Sequence, residues 1–74
     1  PMIKKPKVGY VKDGTAYIPL TNSKTWAKTD EEFFEEVNMF QWYMDKEGYC
    51  KTKINGHAWE MGKFVLYLNS RKFN

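Results

Sequence analysis

Cysteine, histidine and arginine are scarce in this 74-residue chain, which contains one of each. With Cys50 as the single cysteine, the chain can form no internal disulfide and no thiolate-rich zinc site, and we expect a reducing compartment, the cytoplasm of a cell. His57 has no nucleophile, base or set of metal ligands at a suitable spacing. The sequence therefore predicts a protein without catalytic activity, metal or cofactor.

Long apolar runs are also absent, since the longest covers only residues 64 to 68. A helix that crosses a membrane needs about 20 predominantly apolar residues. The first residues, PMIKKPKV, lack the apolar centre of a secretory signal. We therefore expect neither a membrane span nor secretion.

Aromatic residues, by contrast, are plentiful: three Trp, five Tyr and five Phe make up 18% of the chain. A chain this short needs dense packing to be stable, and each ring buries roughly 150 to 250 Å². We therefore expect one globular domain whose core includes most of the tryptophans. Its predicted parts are a flexible basic arm over residues 1–7, a folded core over 8–68 and a tail over 69–74.

The net charge of +3 hides a separation of charge along the chain. Residues 1–28 hold six lysines and one aspartate, residues 29–47 hold seven acidic residues and one lysine, and residues 48–74 hold five basic residues and one glutamate. This order predicts a molecule with one positive and one negative face, and not one that adheres uniformly to polyanions.

The dipeptide Asn55-Gly56 lies between two alternating runs and is the most informative feature of the chain. Both central residues of a type I′ turn need φ > 0, so this pair predicts a two-residue hairpin and its register. The predicted pairs are Ile54 with His57, Lys53 with Ala58, Thr52 with Trp59, Lys51 with Glu60 and Cys50 with Met61. We expect one face to pack and the other to be solvated. The packed face carries Cys50, Thr52, Ile54, His57, Trp59 and Met61, and the solvated face carries Tyr49, Lys51, Lys53, Ala58 and Glu60.

A second turn signal, Asp13-Gly14, predicts another hairpin earlier in the chain. Its predicted pairs are Lys12 with Thr15 and Tyr10 with Tyr17. Because Pro19 has no N–H to donate to a ladder, we expect the second strand to end there. The polar run over residues 21 to 29 favours a loop or a short irregular strand.

A helix is predicted over about residues 30 to 42. Thr29 and Glu32 form a capping box, and acidic residues fill the first turn, where the helix dipole favours them. The apolar stripe is Phe33, Phe34, Val37, Phe40 and Met44. The outward side carries Glu31, Glu32, Glu35, Glu36 and Asn38.

After Gly62, the apolar run over residues 64 to 68 fits a strand or a short helix, and we favour a strand. The predicted fold is α+β, with a small antiparallel sheet of two hairpins, three to five strands in all, and one amphipathic helix packed on one face.

Two surfaces are candidates for binding. The nucleic-acid-binding candidates are Tyr49, Lys51, Lys53, Lys63, Lys4, Lys5 and Lys7, and the alternative protein-binding candidates are Glu31, Glu32, Glu35 and Glu36. Both sets also fit ordinary solvated surfaces.

Three segments resemble the N-terminal DNA-binding region of phage-type HNH homing endonucleases, which is related to the ethylene-response-factor class of DNA-binding domains. They are IPLTNSK at 18–24, TDEEFFEEVNMFQWY at 29–43 and GYCKTKINGHAWEM at 48–61, followed by the apolar run after Lys63. The resemblance implies a sheet that docks on DNA with a helix packed behind it. The exposed positions that it implies for this contact are Tyr49, Lys51, Lys53 and Lys63.

The chain departs from that family in two places. Gly62-Lys63 follows Met61 where the family has a His-Arg pair, and no later segment supplies the nuclease motif. We therefore hypothesise a non-enzymatic DNA-binding module, encoded by a phage or mobile element, that docks on duplex DNA. The alternative is a small phage protein that binds and inhibits a host or defence protein, of the anti-restriction or anti-CRISPR type. A third interpretation is a structural protein that dimerises through an open sheet edge.

Overall fold

In the computed structural model, which describes residues 8–72, the chain forms two three-stranded antiparallel sheets around a shared core. The first sheet contains β1 (Tyr10–Lys12), β2 (Thr15–Pro19) and β3 (Trp26–Asp30), in that order. The second contains β4 (Tyr43–Met44), β5 (Cys50–Ile54) and β6 (His57–Glu60). Two helices, α1 (Phe34–Val37) and α2 (Met61–Arg71), complete the described part. The α+β class is confirmed, but two small sheets replace the single predicted sheet.

Both predicted hairpins are present with the predicted registers. Their turns are built alike, with φ of 51° at Asp13 and 79° at Gly14, and 52° at Asn55 and 81° at Gly56. The ladder pairs are Tyr10 with Tyr17, Lys12 with Thr15, Lys51 with Glu60, Thr52 with Trp59, Lys53 with Ala58 and Ile54 with His57. The turn residues fix these registers because they select a two-residue loop.

One predicted pair, Cys50 with Met61, is wrong. Cys50 pairs with Met44 on β4, and Met61 begins α2. The pairing of β5 and β6 stops one position earlier, at Lys51 and Glu60, because the chain turns into a helix at that point.

The polar run before the acidic segment ends in a regular strand. β3 pairs along its whole length with β2, from Thr15 opposite Asp30 to Pro19 opposite Trp26. β2 ends at Pro19, as its missing N–H predicts.

The predicted capping box of Thr29 and Glu32 is wrong, because Thr29 lies inside β3 and pairs with Ala16. Asp30 precedes the first turn and, within residues 8–72, makes no side-chain cap hydrogen bond.

The predicted helix over residues 30 to 42 is much shorter. A 3₁₀ turn, Glu31–Phe33, leads into α1, which ends at Val37. Trp42 explains the early end: its Nε1–H donates to the Val37 carbonyl at 2.8 Å, and its own carbonyl accepts from the Thr21 N–H at 2.8 Å. Because these two contacts place the Trp42 ring in the core and its backbone beside the end of β2, the helix does not extend to Trp42.

Residues 61 to 71 form a helix and not the favoured strand. Met61 and Phe64 are buried and Val65 and Leu68 are half-buried, which is a helical spacing of three and four. α2 includes residues 69 to 71, where the sequence indicated a tail. Within the described residues, no helix is long and apolar enough to cross a membrane.

One core joins the two sheets to both helices. Trp42, Ile18 and Val37 are the largest fully buried side chains. The Phe64 ring of α2 lies 5.8 Å from the Trp42 ring and 6.1 Å from the Trp59 ring, so α2 closes the core from the side of the second sheet.

Candidate nucleic-acid interface

The second hairpin places its two lysines on the face that points away from the core. Thr52 between them is only 3% exposed, and its hydroxyl donates to the Gln41 carbonyl at 2.6 Å. Because successive side chains of a strand alternate, Lys51 and Lys53 project from the opposite face. Trp59, the cross-strand partner of Thr52, is half-buried against Phe64, as the register predicted.

The two lysines are not equivalent. Lys53 is exposed, whereas the Lys51 Nζ lies 2.8 Å from an Asp45 carboxylate oxygen. The other oxygen of Asp45 accepts the N–H groups of Glu47 and Tyr49, each at 2.9 Å, which closes the turn before β5. The hydrogen bond from Lys51 is the main reason that the pKa of Asp45 lies below its ordinary value. The same bond raises the pKa of Lys51.

The other candidates lie outside the β5–β6 ladder. Tyr49 is 49% exposed and immediately precedes β5, and Lys63 is exposed in the first turn of α2, three residues after Glu60. Lys4, Lys5 and Lys7 lie outside the described residues. His57, expected on the packed face, is exposed, because it is the last ladder residue beside the turn; its ladder partner Ile54 still packs against the core.

The acidic candidates lie on the 3₁₀ turn and α1, and all four are exposed: Glu31, Glu32, Glu35 and Glu36. Glu32 forms an ion pair with Lys72, the residue that follows α2. In the described part of the chain, the other three form no salt bridge. The acidic residues therefore form a solvated surface, as predicted, although most of the predicted helix is missing.

A further surface was not identified from the sequence. The outer face of the first sheet carries three rings, which we name the aromatic face: Tyr10, Tyr17 and Trp26. The Tyr10 and Tyr17 rings are stacked, with centroids 4.9 Å apart and planes 18° apart, and the Trp26 ring meets Tyr10 edge-on at 5.5 Å. Alternation in β1 and β2 was the available signal, since it puts both tyrosines opposite the buried Ala16 and Ile18.

Lysines flank the aromatic face. Lys28 is the ladder partner of Tyr17, and its Nζ lies 5.7 Å from the centroid of that ring. Lys12 follows Tyr10 by two residues and is on the same side of β1. In the ladder, Thr15 lies between Lys12 on β1 and Asp30 on β3, so Asp30 is an acidic residue on the same sheet face.

Burial raises the pKa of the half-buried Cys50 thiol, which favours its unreactive protonated form. Among residues 8–72, no group of three or more His, Cys, Asp or Glu side chains is placed to hold a metal ion.

No protein-family model, curated protein or solved structure matches this chain significantly.

Proposed function

We propose that this protein is a non-enzymatic DNA-binding module, encoded by a phage or mobile element and acting in the cytoplasm of the host cell. It places the outer face of β5 and β6 on the backbone of duplex DNA. The observation that supports the proposal is the burial of Thr52, because side chains alternate along β5 and Lys51 and Lys53 therefore project from the opposite, outer face.

Lys53 and Lys63 are the strongest phosphate-binding residues in this proposal, because both are exposed and neither forms a salt bridge within the described residues. Lys51 contributes less, since Asp45 already compensates its charge. Lys4, Lys5 and Lys7 are further candidates for phosphate contact because of their charge. Lysines fix position more than sequence, so we expect weak sequence preference.

The test is fluorescence anisotropy with a labelled duplex of about 20 base pairs at several salt concentrations. Lys53→Glu is expected to lower the affinity about tenfold or more, and to reduce the salt slope by about 0.9 for each phosphate that the variant no longer neutralises. Lys24→Glu is the matched control, because Lys24 is exposed and lies in the loop before β3. Equal decreases in affinity for the two variants, or no duplex binding at low salt, would contradict the proposal.

The alternative function is binding and inhibition of a host or defence protein through the acidic surface. Three exposed carboxylates without a salt bridge in the described region, together with Met39 at 76% exposed, favour this second candidate. Charged groups around an apolar contact are a common form of protein interface. This alternative predicts stoichiometric capture of one host protein by the immobilised chain. The double variant Glu35→Lys, Glu36→Lys would abolish capture and leave duplex affinity undiminished.

A further inference from the structure

We propose that the aromatic face of the first sheet binds single-stranded nucleic acid by base stacking, at a site separate from the duplex-binding face of β5 and β6. The proposal rests on different residues from the proposed function and does not depend on it. Its observations are two exposed or half-buried tyrosines in mutual contact, a third ring beside them and two flanking lysines.

The rings of the aromatic face are partly exposed to solvent. Tyr10 is 47% exposed and lies on an edge strand whose three residues are all exposed. One face of its ring is covered by Tyr17, which holds the ring in a fixed orientation. An edge ring that is oriented and half in water can accept a base on its remaining surface at little conformational cost.

The charges beside the rings match a phosphate backbone. Lys28 and Lys12 lie on the same sheet face as the tyrosines, one on each outer strand. They can therefore bind phosphates on the two sides of a base that stacks on the aromatic face. Asp30 occupies the same cross-strand row as Lys12, separated from it by Thr15, and makes the β3 end of that row unfavourable for a phosphate. A neutral sugar or an apolar peptide would gain nothing from the two lysines.

The geometry favours a single strand over a duplex. Stacking on an aromatic side chain requires an unpaired base whose π-face is accessible, whereas duplex bases are already stacked on each other. The strands that form the aromatic face contain no arginine, asparagine or glutamine for paired hydrogen bonds to base edges. We therefore expect binding with little sequence preference.

The experiment measures anisotropy of labelled dT and rU oligonucleotides of about 12 nucleotides at low salt, with the natural chain and three variants. Tyr10→Leu keeps an apolar side chain but removes the ring, and Tyr10→Phe keeps the ring. Tyr67→Leu is the matched control, because Tyr67 is 46% exposed but lies on α2. Circular dichroism and thermal unfolding check that each variant is folded.

We expect Tyr10→Leu to weaken single-strand binding about tenfold, the value of stacking one base on one ring, and Tyr10→Phe and Tyr67→Leu to change it less than about twofold. Lys28→Glu, a further variant, is expected to weaken binding and to lower the salt slope by about 0.7. The dT and rU arms compare a DNA strand with an RNA strand, which differ here in both the 2′-hydroxyl and the thymine methyl group. Absence of single-strand binding, or equal weakening by folded Tyr10→Leu and Tyr67→Leu, would overturn the proposal.

This result is separable from a failure of the duplex proposal. Lys53→Glu is expected to weaken duplex binding and, when both ligands are compared at about 0.15 M salt, to leave oligonucleotide binding within about twofold, because a lysine outside the aromatic face then adds only a screened long-range term. If Lys53→Glu and Tyr10→Leu each weaken both ligands equally, the two sites are one, and the inference of a separate aromatic face is wrong.

Discussion

The two sheets are built on the same plan but present different outer faces. Each consists of a two-residue hairpin with both turn residues at positive φ, and a third strand paired along one side. The outer face of the first sheet carries stacked rings and lysines. The outer face of the second sheet carries Lys51, which forms a salt bridge with Asp45, and Lys53, which forms none within the described residues.

The difference shows how a local feature of one strand changes the chemistry of a whole face. In the second sheet, Asp45 closes the turn before β5 and also holds Lys51. In the first sheet, no carboxylate of the described residues forms a salt bridge with Lys28, which lies over the Tyr17 ring. The first sheet therefore has the face better suited to stacking, and the second has one suited to isolated phosphate contacts.

The largest expected effect tests whether the two sheets form one unit. Trp42 is fully buried, hydrogen-bonds Val37 and pairs with the end of β2. Trp42→Ala is expected to cost about 3 to 5 kcal/mol, enough to unfold much of a small domain, as measured by urea unfolding. Both sheets should lose structure in one transition. Leu66→Ala, at a site 68% exposed, is the control and should change stability by less than about 0.5 kcal/mol.

A smaller effect tests whether the two hairpin turns are equivalent. Among the described residues, no heavy atom lies within 4 Å of the Cβ that alanine would add at Gly14 or Gly56, so each cost is purely that of positive φ. We expect Gly14→Ala and Gly56→Ala to destabilise the fold by similar amounts, about 1 to 2 kcal/mol each. Gly62→Ala, in the first turn of α2, should instead be neutral or stabilising, by up to about 1 kcal/mol. A large difference between the two turns in chemical denaturation would refute their equivalence.

The smallest expected effect comes from releasing Lys51. Asp45→Asn keeps an oxygen that can accept from Glu47 and Tyr49 but removes the charge that holds Lys51. Both side chains are partly exposed to solvent, so stability should change little. The duplex-binding proposal predicts a rise in affinity of a few fold, since the site loses an anion and gains a free cation. Unchanged or weaker duplex binding would remove Lys51 from the proposed interface.

The pH dependence of this pair follows from the directions of its two pKa shifts. Lys51 lowers the pKa of Asp45. The contribution of the pair to folding stability is therefore complete above the ordinary pKa of 3.8 and is lost as the pH falls through the lowered pKa. The pKa of Lys51 is raised, so at the alkaline end the contribution is lost only as the pH passes above 10.5. The small melting-temperature difference between the natural chain and Asp45→Asn should be constant between these limits and vanish in acid.

Sequence reasoning succeeded where a single local rule decides the structure. Asn55-Gly56 and Asp13-Gly14 fixed both hairpins and their registers, since few residues tolerate positive φ. Pro19 fixed the end of β2 for an equally local reason. The solvated position of Lys53 follows directly from the register.

It failed where a distant contact overrides a local pattern. The early end of α1 depends on Trp42 bonding to Val37 and to the end of β2, and neither contact is visible in helical spacing. The choice between strand and helix for residues 64 to 68 depends on three rings that meet Phe64, namely Phe40, Trp42 and Trp59. The pairing of Tyr10 with Tyr17 was predicted, but the aromatic face was missed because Trp26 and Lys28 join these rings only through β3, which the polar run did not indicate as a regular strand.

The most direct measurement is an amide chemical-shift titration of the isotopically labelled chain, once with a dT oligonucleotide and once with a duplex. We predict that the oligonucleotide shifts amides of Tyr10, Tyr17 and Lys28, and that the duplex shifts amides around Lys51, Lys53 and Lys63. Two separate sets of shifted residues would support two binding faces. The same set for both ligands, or no shifts in either face, would contradict the account.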